Sequence, residues 1–353
     1  MADLKLLEEI TNAPGVSGHE RPVREIIERY LSGHATLTND GLGSVLAEKK
    51  GTSSRPRIMM AGHMDEIGFM VTYITKEGYL KFQPLGGWWD QVLLAQRVVV
   101  KSNQGDLIGV IGSRPPHILD AEARKKPVEK KDMFIDVGAH SREEVESFGV
   151  RPGDVIIPDS RFTVMRNEKM LLAKAWDDRV GCALFVDALR QIGDDHPNTL
   201  YGVGTVQEEV GLRGATTSSQ MIKPDVGIAL ETDIAGDTPG IREEECQAKL
   251  GKGPSLLIYD GSLIPNVRLR DLVIATAEAE NLPLQFNSMA GGGTDAGRIQ
   301  LAGNGVPCIV LGVPCRYIHS HAGIIDSDDY DNLVKLLVAL LKRLDENTVA
   351  ELV

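Results

Sequence analysis

Five short segments of the chain carry clustered acidic or imidazole side chains. They are His63-Met64-Asp65-Glu66, Ala175-Trp176-Asp177-Asp178, Gln207-Glu208-Glu209, Leu230-Glu231-Thr232-Asp233 and Tyr317-Ile318-His319-Ser320-His321. Most of them follow short apolar runs that read as strands. In open α/β sheets the groups just beyond the carboxyl ends of the strands share one crevice, so residues distant in sequence can meet there. Each segment alone has a plain structural reading: paired acids are usually solvated, and a lone histidine after a strand usually makes a hydrogen bond. Taken together the balance reverses, because two histidines and three carboxylates make a complete set for two divalent cations. Such a pair sits ~3.5–4 Å apart and can share a bridging carboxylate and a water. Burying so many charges without a cation would be very costly.

Other motifs carry less. Gly291-Gly292-Gly293-Thr294-Asp295 does not fit the GxxxxGK[ST] phosphate loop. Gly86-Gly87-Trp88-Trp89 reads as packing and Arg114-Pro115-Pro116-His117 as a rigid turn. With 50 Asp and Glu against 38 Lys and Arg the net charge is −12, which disfavours nucleic acid as a partner, since phosphate binding needs clustered cations. No apolar run reaches the about 18 residues that span a bilayer. The opening MADLKLLEEITNAPG reads as an acidic amphipathic helix, not a signal peptide. Cys182, Cys246, Cys308 and Cys315 lie far apart, without a CxxC pair. That spacing argues against a disulfide framework or a zinc knuckle, and a reducing cytoplasm is the expected compartment.

The elements that must position the five segments follow from periodicity. Leu4, Leu6, Leu7 and Ile10 recur at helical spacing. Ser17-Gly18-His19-Glu20 offers a capping box before a second helix that carries Val23, Ile26, Ile27, Tyr30 and Leu31. Strands are expected near residues 44–49 and 57–61. From about Phe69 to Val164 the texture changes to short β-branched or alternating runs (FMVTYIT, GYLKFQP, QRVVVKS, DLIGVIGS, MFIDVG, DVIIPD) divided by turn residues. Within them, HILDAEARKKPVEKKD predicts an exposed loop. After Lys174 helices and strands alternate again, ending in a long helix through DDYDNLVKLLVALLKRL. The economical architecture is an α/β domain, residues 1–68 and 165–353, with a β domain inserted at 69–164.

At this point a family resemblance enters. The runs AGHMDEIGFM, KAWDDRVG, VQEEVGLRGA, ALETDIAGDTPG, GGGTDAG and RYIHSH together resemble the TET-type (glutamyl and deblocking) aminopeptidases, dinuclear metallopeptidases related to bacterial leucyl aminopeptidases. The resemblance covers nearly the whole chain. It implies a zinc-exopeptidase-like α/β/α catalytic domain with a mixed sheet and an inserted small β-barrel, acting on short peptides with two divalent metal ions per chain, zinc or cobalt foremost. It also implies a homo-oligomer, a dodecamer built from dimers, with the insertion supplying contacts. Residue by residue, His63 resembles a terminal ligand of one metal, Asp177 the bridging carboxylate, and Glu209 and His319 ligands of the second. Glu231 is the expected fifth ligand, with Asp233 two residues on as the alternative. Glu208 resembles the general base, and Asp65 a residue that orients His63. Asp177-Asp178 resembles a pair joined by a cis peptide bond. Asp295 is a lesser candidate for the substrate's amino group, and His321 for a ligand.

Physics supports the division between Glu208 and Glu209, because neighbours in extended backbone point to opposite sides. One could face a metal and the other the attacking water. The competing classes are a glycoside hydrolase using Glu208 and Glu209, and a metal-dependent deacylase or amidohydrolase on the same scaffold. The first needs carboxyls ~5–9.5 Å apart around a sugar ring and leaves His63, Asp177 and His319 without a role.

Overall fold

Every residue of the strand Arg57–His63 after Arg57 is buried, as expected of a strand covered on both faces. Its side chains alternate between two cores. Ile58 and Met60 join a large core with the helices Leu4–Asn12, Arg21–Leu31, Trp176–Gln191, Val267–Ala279 and Ser327–Arg343, whereas Met59 and Ala61 face a smaller one with Arg213–Ile222 and Ala296–Ile299. The computed structural model describes residues 2–353.

The sheet runs Thr36–Asn39, Val45–Lys50, Thr199–Thr205, Arg57–His63, Val226–Ile234, Cys308–Arg316, Gly323–Asp326, Met170–Ala173, Thr163–Val164. Ser255–Asp260 and Gln285–Met289 branch from the strand Cys308–Arg316. Its four central strands, from Thr199–Thr205 to Cys308–Arg316, are mutually parallel. Their carboxyl ends therefore emerge on one edge, which carries His63, Glu208, Glu209, Glu231 and His319. The helix Trp176–Gln191 is buried almost throughout, and its start brings Asp177 to the same edge.

Six strands form a closed barrel in the order Gly68–Ile74, Tyr79–Leu85, Phe134–Asp136, Gly105–Gly112, Arg97–Ser102, Val155–Pro158. These are the six β-branched runs of the sequence. Closure leaves no free edge, and inward residues such as Phe69, Leu80, Val98, Val100, Ile111 and Ile156 make a core of their own. The mixed-sheet α/β body bearing a small barrel is the expected architecture. The charged segment between the barrel strands Gly105–Gly112 and Phe134–Asp136 forms exposed short turns. All four cysteines are buried and free. Among the described residues, no helix is long and apolar enough to cross a membrane.

One local expectation fails. Glu20 sits at the start of the helix Arg21–Leu31 with helical backbone and makes no capping bond, so the capping box does not form. Pro22 already removes one orphan N–H there, and the side chains of Ser17 and Glu20 turn instead toward the crowded edge of the sheet.

Candidate metal centre

His63 ends its strand, and its backbone N–H donates to Asp178 Oδ2 at 3.0 Å. Its Nδ1 lies 2.9 Å from the Asp65 carbonyl oxygen and 3.5 Å from the Asp65 carboxylate. The ring is thus oriented mainly by the main chain of Asp65. The carboxylate of Asp65 does something else: it accepts the Ser17 hydroxyl and the backbone N–H groups of Glu208 and Glu209.

With Nδ1 so engaged, His63 Nε2 points at Asp177 Oδ1, 3.0 Å away. The other Asp177 oxygen is 3.0 Å from His319 Nε2. His319 is aimed from the barrel side, where its Nδ1 meets the Gly87 carbonyl oxygen at 2.7 Å. Glu209 Oε1 lies 3.5 Å from His319 Nε2, and Glu231 Oε2 lies 4.0 Å from His63 Nε2. Glu208 Oε2 is 3.8 Å from His63 Nε2. All the expected site residues therefore come together. The extended backbone expected for Glu208-Glu209 is absent. Gln207 has φ +57, and this turn sends both side chains into the same cleft toward different imidazoles. Ala175, Leu212, Tyr317 and His319 also have positive φ, so left-handed non-glycine backbone gathers around the site, a strain that surrounding structure must hold.

The cluster is short of positive charge. Burial, reinforced by neighbouring carboxylates, pushes Glu209 up to about 8 and raises Glu208 and Glu231 well above the usual carboxylate range. Burial opposes charge on His319, but its hydrogen bond to Asp177 and that group's charge outweigh it and lift the imidazole to about 10. Glu209 Oε1 and Glu231 Oε1 are buried without a hydrogen-bond partner. Unsatisfied buried carboxylate oxygens beside imidazole nitrogens fit divalent cations, and the N/O donor set suits zinc, cobalt or manganese. One ligand atom from each of Asp177, Glu209 and His319 falls within 4.8 Å of the others, and the same holds for His63, Asp178 and Glu231. In the second group Asp178 is already spent, since its two oxygens accept the N–H groups of His63 and Gly181. Asp177 faces imidazole nitrogens instead of main-chain N–H groups. The Asp177-Asp178 peptide bond is cis.

The remaining candidates lie outside this cluster. Asp233 Oδ1 accepts Asn287 Nδ2 and the Ile234 N–H, both at 2.8 Å. His321 is buried against Trp88, with burial pushing its imidazole down to about 4. Asp295 is buried, accepting the Thr205 hydroxyl at 2.5 Å. Gly291, Gly292 and Gly293 line the cleft. Sequence reasoning missed Ser17 and Glu20 as parts of the site, and read Gly86-Gly87 mainly as packing although Gly87 lines the cleft. The paired glycines Gly86-Gly87 were the signal in the sequence, and the structure gives the reason: Gly86 has φ +86, and a Cβ there would fall 2.9 Å from Glu209 Oε2.

Comparison with known proteins places this geometry. Residues 43–336 match the model of the M42 glutamyl aminopeptidases. A TET aminopeptidase structure from the marine sediment archaeon Thaumarchaeota archaeon SCGC AB-539-E09 superposes with a TM-score of 0.98 at 50% identity, covering 99% of this chain and 98% of that one. The TET1 peptidase of Pyrococcus horikoshii, described as assembling into a tetrahedron or a large octahedral shell, gives a TM-score of 0.86 at 34% identity over 97% and 99% of the two chains. The lysyl aminopeptidase of Pyrococcus furiosus is 37% identical over 98% of each chain. A sheet edge that gathers these carboxylates and imidazoles, and a match across most of the sequence, agree on one conclusion: the chain belongs to the M42 aminopeptidase family of peptide hydrolases.

Proposed function

We propose that this aminopeptidase removes the first residue of short peptides with two divalent cations per chain, zinc or cobalt. His63, Asp177 and Glu231 would hold one, and Asp177, Glu209 and His319 the other. The observation that carries this reading is the Asp177 carboxylate, whose two oxygens each lie 3.0 Å from a different imidazole Nε2. A carboxylate facing two ligand groups in this way is what a bridging ligand requires. When bound, the cations would polarise the scissile carbonyl and bring the pKa of water from about 15.7 toward ~7.

The protein's own residues supply the rest. Glu208 is buried among carboxylates that raise its proton affinity, and it takes the proton of the attacking water and returns it to the leaving amine. Asp65 fixes the backbone of Glu208 and Glu209, and its carbonyl orients His63. Asp178 holds the His63 main chain. Glu208 and Glu209 have oxygens within 4.8 Å of each other and of one His63 nitrogen, which leaves no place for a sugar ring between them and counts against a glycosidase.

Assembly into a closed dodecamer built from dimers, with residues 69–164 contributing contacts, belongs to the same proposal. It is supported by the assembly named for the Pyrococcus horikoshii relative and by Ile108 and Val110 exposed on the barrel. A cytoplasmic setting accords with four free thiols. Aminoacyl anilides, acyl amino acids and carboxymethyl-cellulose, each assayed with and without a chelator, test the reading. Chelator-sensitive anilide hydrolysis supports it; cleavage of cellulose or acyl amino acids alone overturns it.

A further inference from the structure

We infer that the substrate's N-terminal residue carries an uncharged apolar side chain of about leucine or methionine size, an inference that rests on the aminopeptidase reading above. The cleft holds about 480 Å³. Beyond the acidic and imidazole cluster, its walls include Leu212, Ile234, Met289 and Ile318 with the glycine turn 291–293. Ile234 remains 38% exposed although it ends a strand whose other residues are all buried. An apolar side chain left open at that position serves a ligand better than it serves the core.

The charges that would select a different substrate are missing from these walls. Among the described residues, no lysine or arginine lines the cleft. Of the guanidinium groups on the flanking segments, Arg213 donates to Gln207 Oε1 and Arg316 to both oxygens of Asp237. An acidic side chain seated against these walls would find no lysine or arginine to pair with, and burying an unpaired carboxylate is costly. A lysyl side chain needs a carboxylate to spare. The acids that line the cleft are those assigned to the cations and the base, and neither Asp233 nor Asp260 lines it; Asp260 also accepts the Ser262 and Leu263 N–H groups and the Thr294 hydroxyl. The turn leaves room for a side chain. Gly292 has φ +86, which favours glycine, and nothing stands within 4 Å of a Cβ placed on Gly291.

The test uses the full-length assembled chain loaded with cobalt and a panel of leucyl, methionyl, alanyl, glutamyl and lysyl p-nitroanilides. Leucyl and methionyl substrates should exceed the alanyl one in kcat/KM by roughly 10- to 100-fold, the worth of burying the larger side chain. They should exceed the glutamyl and lysyl ones by more. Met289→Lys should cut leucyl kcat/KM about tenfold and raise glutamyl turnover. Ile234→Lys, at a second partly exposed site, should do the same, with mass and metal content as folding checks. A glutamyl or lysyl lead in the parent enzyme, or variants with an unshifted ranking, overturns the apolar assignment alone. Hydrolysis of no anilide by metal-replete protein overturns the aminopeptidase reading and takes this inference with it.

Discussion

The Ser17 hydroxyl donates to the Asp65 carboxylate at 2.6 Å, a buried contact across 48 residues of sequence. The same carboxylate accepts the N–H of Glu208 at 3.0 Å and of Glu209 at 3.2 Å. The loop before the second helix, the end of a central strand and the loop of the proposed base thus meet on one side chain. Burial works against the Asp65 charge, yet hydrogen bonds from His63, Ser17 and Glu208 outweigh it and hold the carboxyl below its ordinary range. An ionised Asp65 is the hub that sets where Glu208 and Glu209 point.

Ser17→Ala removes the shortest of those donors. A hydrogen bond to a charged group contributes roughly 1.5–3 kcal/mol, so the urea midpoint should drop accordingly. Turnover should fall while metal content stays full. Ser17→Thr, which keeps the hydroxyl, should recover most of both. An alanine variant with unchanged midpoint and turnover would show that the contact does not position the loop.

Glu20 predicts a stability gain from losing a charge. Burial first, and the nearby Asp65 charge second, raise its carboxyl to about 7 from 4.5. Between these values the folded chain binds a proton that the unfolded chain has released, so stability falls as pH rises through the window. The loss at full ionisation is of order 3 kcal/mol. Both hydrogen bonds, from the Gly18 and Gln207 N–H groups, end on Oε1, and a glutamine amide oxygen can keep them. Glu20→Gln should match the parent near pH 4.5 and exceed it in melting temperature by a margin that widens toward pH 8. A margin independent of pH would contradict the assignment.

The same two residues mark where the sequence stops being legible. Periodicity located the barrel runs and most of the α/β elements because burial repeats every second or every third to fourth residue. The short strands Gln285–Met289 and Gly323–Asp326 offer too few positions for a period, and only tertiary pairing reveals them. The five acidic and imidazole segments were readable because several side-chain types recurred after apolar runs. Ser17 and Glu20 had a strong local explanation as a capping box, and the local rule lost to a buried carboxylate 48 residues away. Between Glu231 and Asp233 the sequence favoured Glu231 by its place after the apolar run, but Asn287, which donates to Asp233 Oδ1, lies on a strand that the pattern did not predict.

Metal content separates the acids. Replete protein should hold close to two equivalents by the two-cation reading, and His63→Ala and His319→Ala should each weaken one site. Glu231→Gln should lose metal. Asp233→Asn should not, because Asn287 and the Ile234 N–H hold its Oδ1 and Asp233 belongs to no group of ligand atoms with His63 or His319. The reverse result would move the fifth ligand to Asp233.

Glu208→Gln should keep both metals, as Glu208 is given no ligand role. Turnover should fall by roughly 10²–10⁴, the range for loss of a general acid–base group. Retained metals with near-normal turnover would remove Glu208 from the mechanism, and loss of metal would make it a ligand.

The barrel surface carries the prediction about assembly. Along the strand Gly105–Gly112, Gly109 and Ile111 face inward, while Ile108 and Val110 stand outward at 50% and 42% exposure. Ile108 also pairs across the strands with Val99, so the outward face is branched and apolar where a solvated barrel needs only polar residues. Covering the half of each side chain still exposed is worth roughly 1 kcal/mol, enough to matter when repeated through a closed shell. Light scattering of the metal-replete chain should give a mass near that of about twelve subunits, a closed form in which a second kind of contact joins the dimers. Ile108→Glu combined with Val110→Glu should give smaller species with unchanged far-ultraviolet dichroism, since neither side chain belongs to the barrel core. Those species should still cleave small anilides if each site is complete within one chain. A parent chain that is monomeric at micromolar concentration with metals bound and full activity would refute the closed assembly. A double variant of parental mass would place its contacts elsewhere on the molecule.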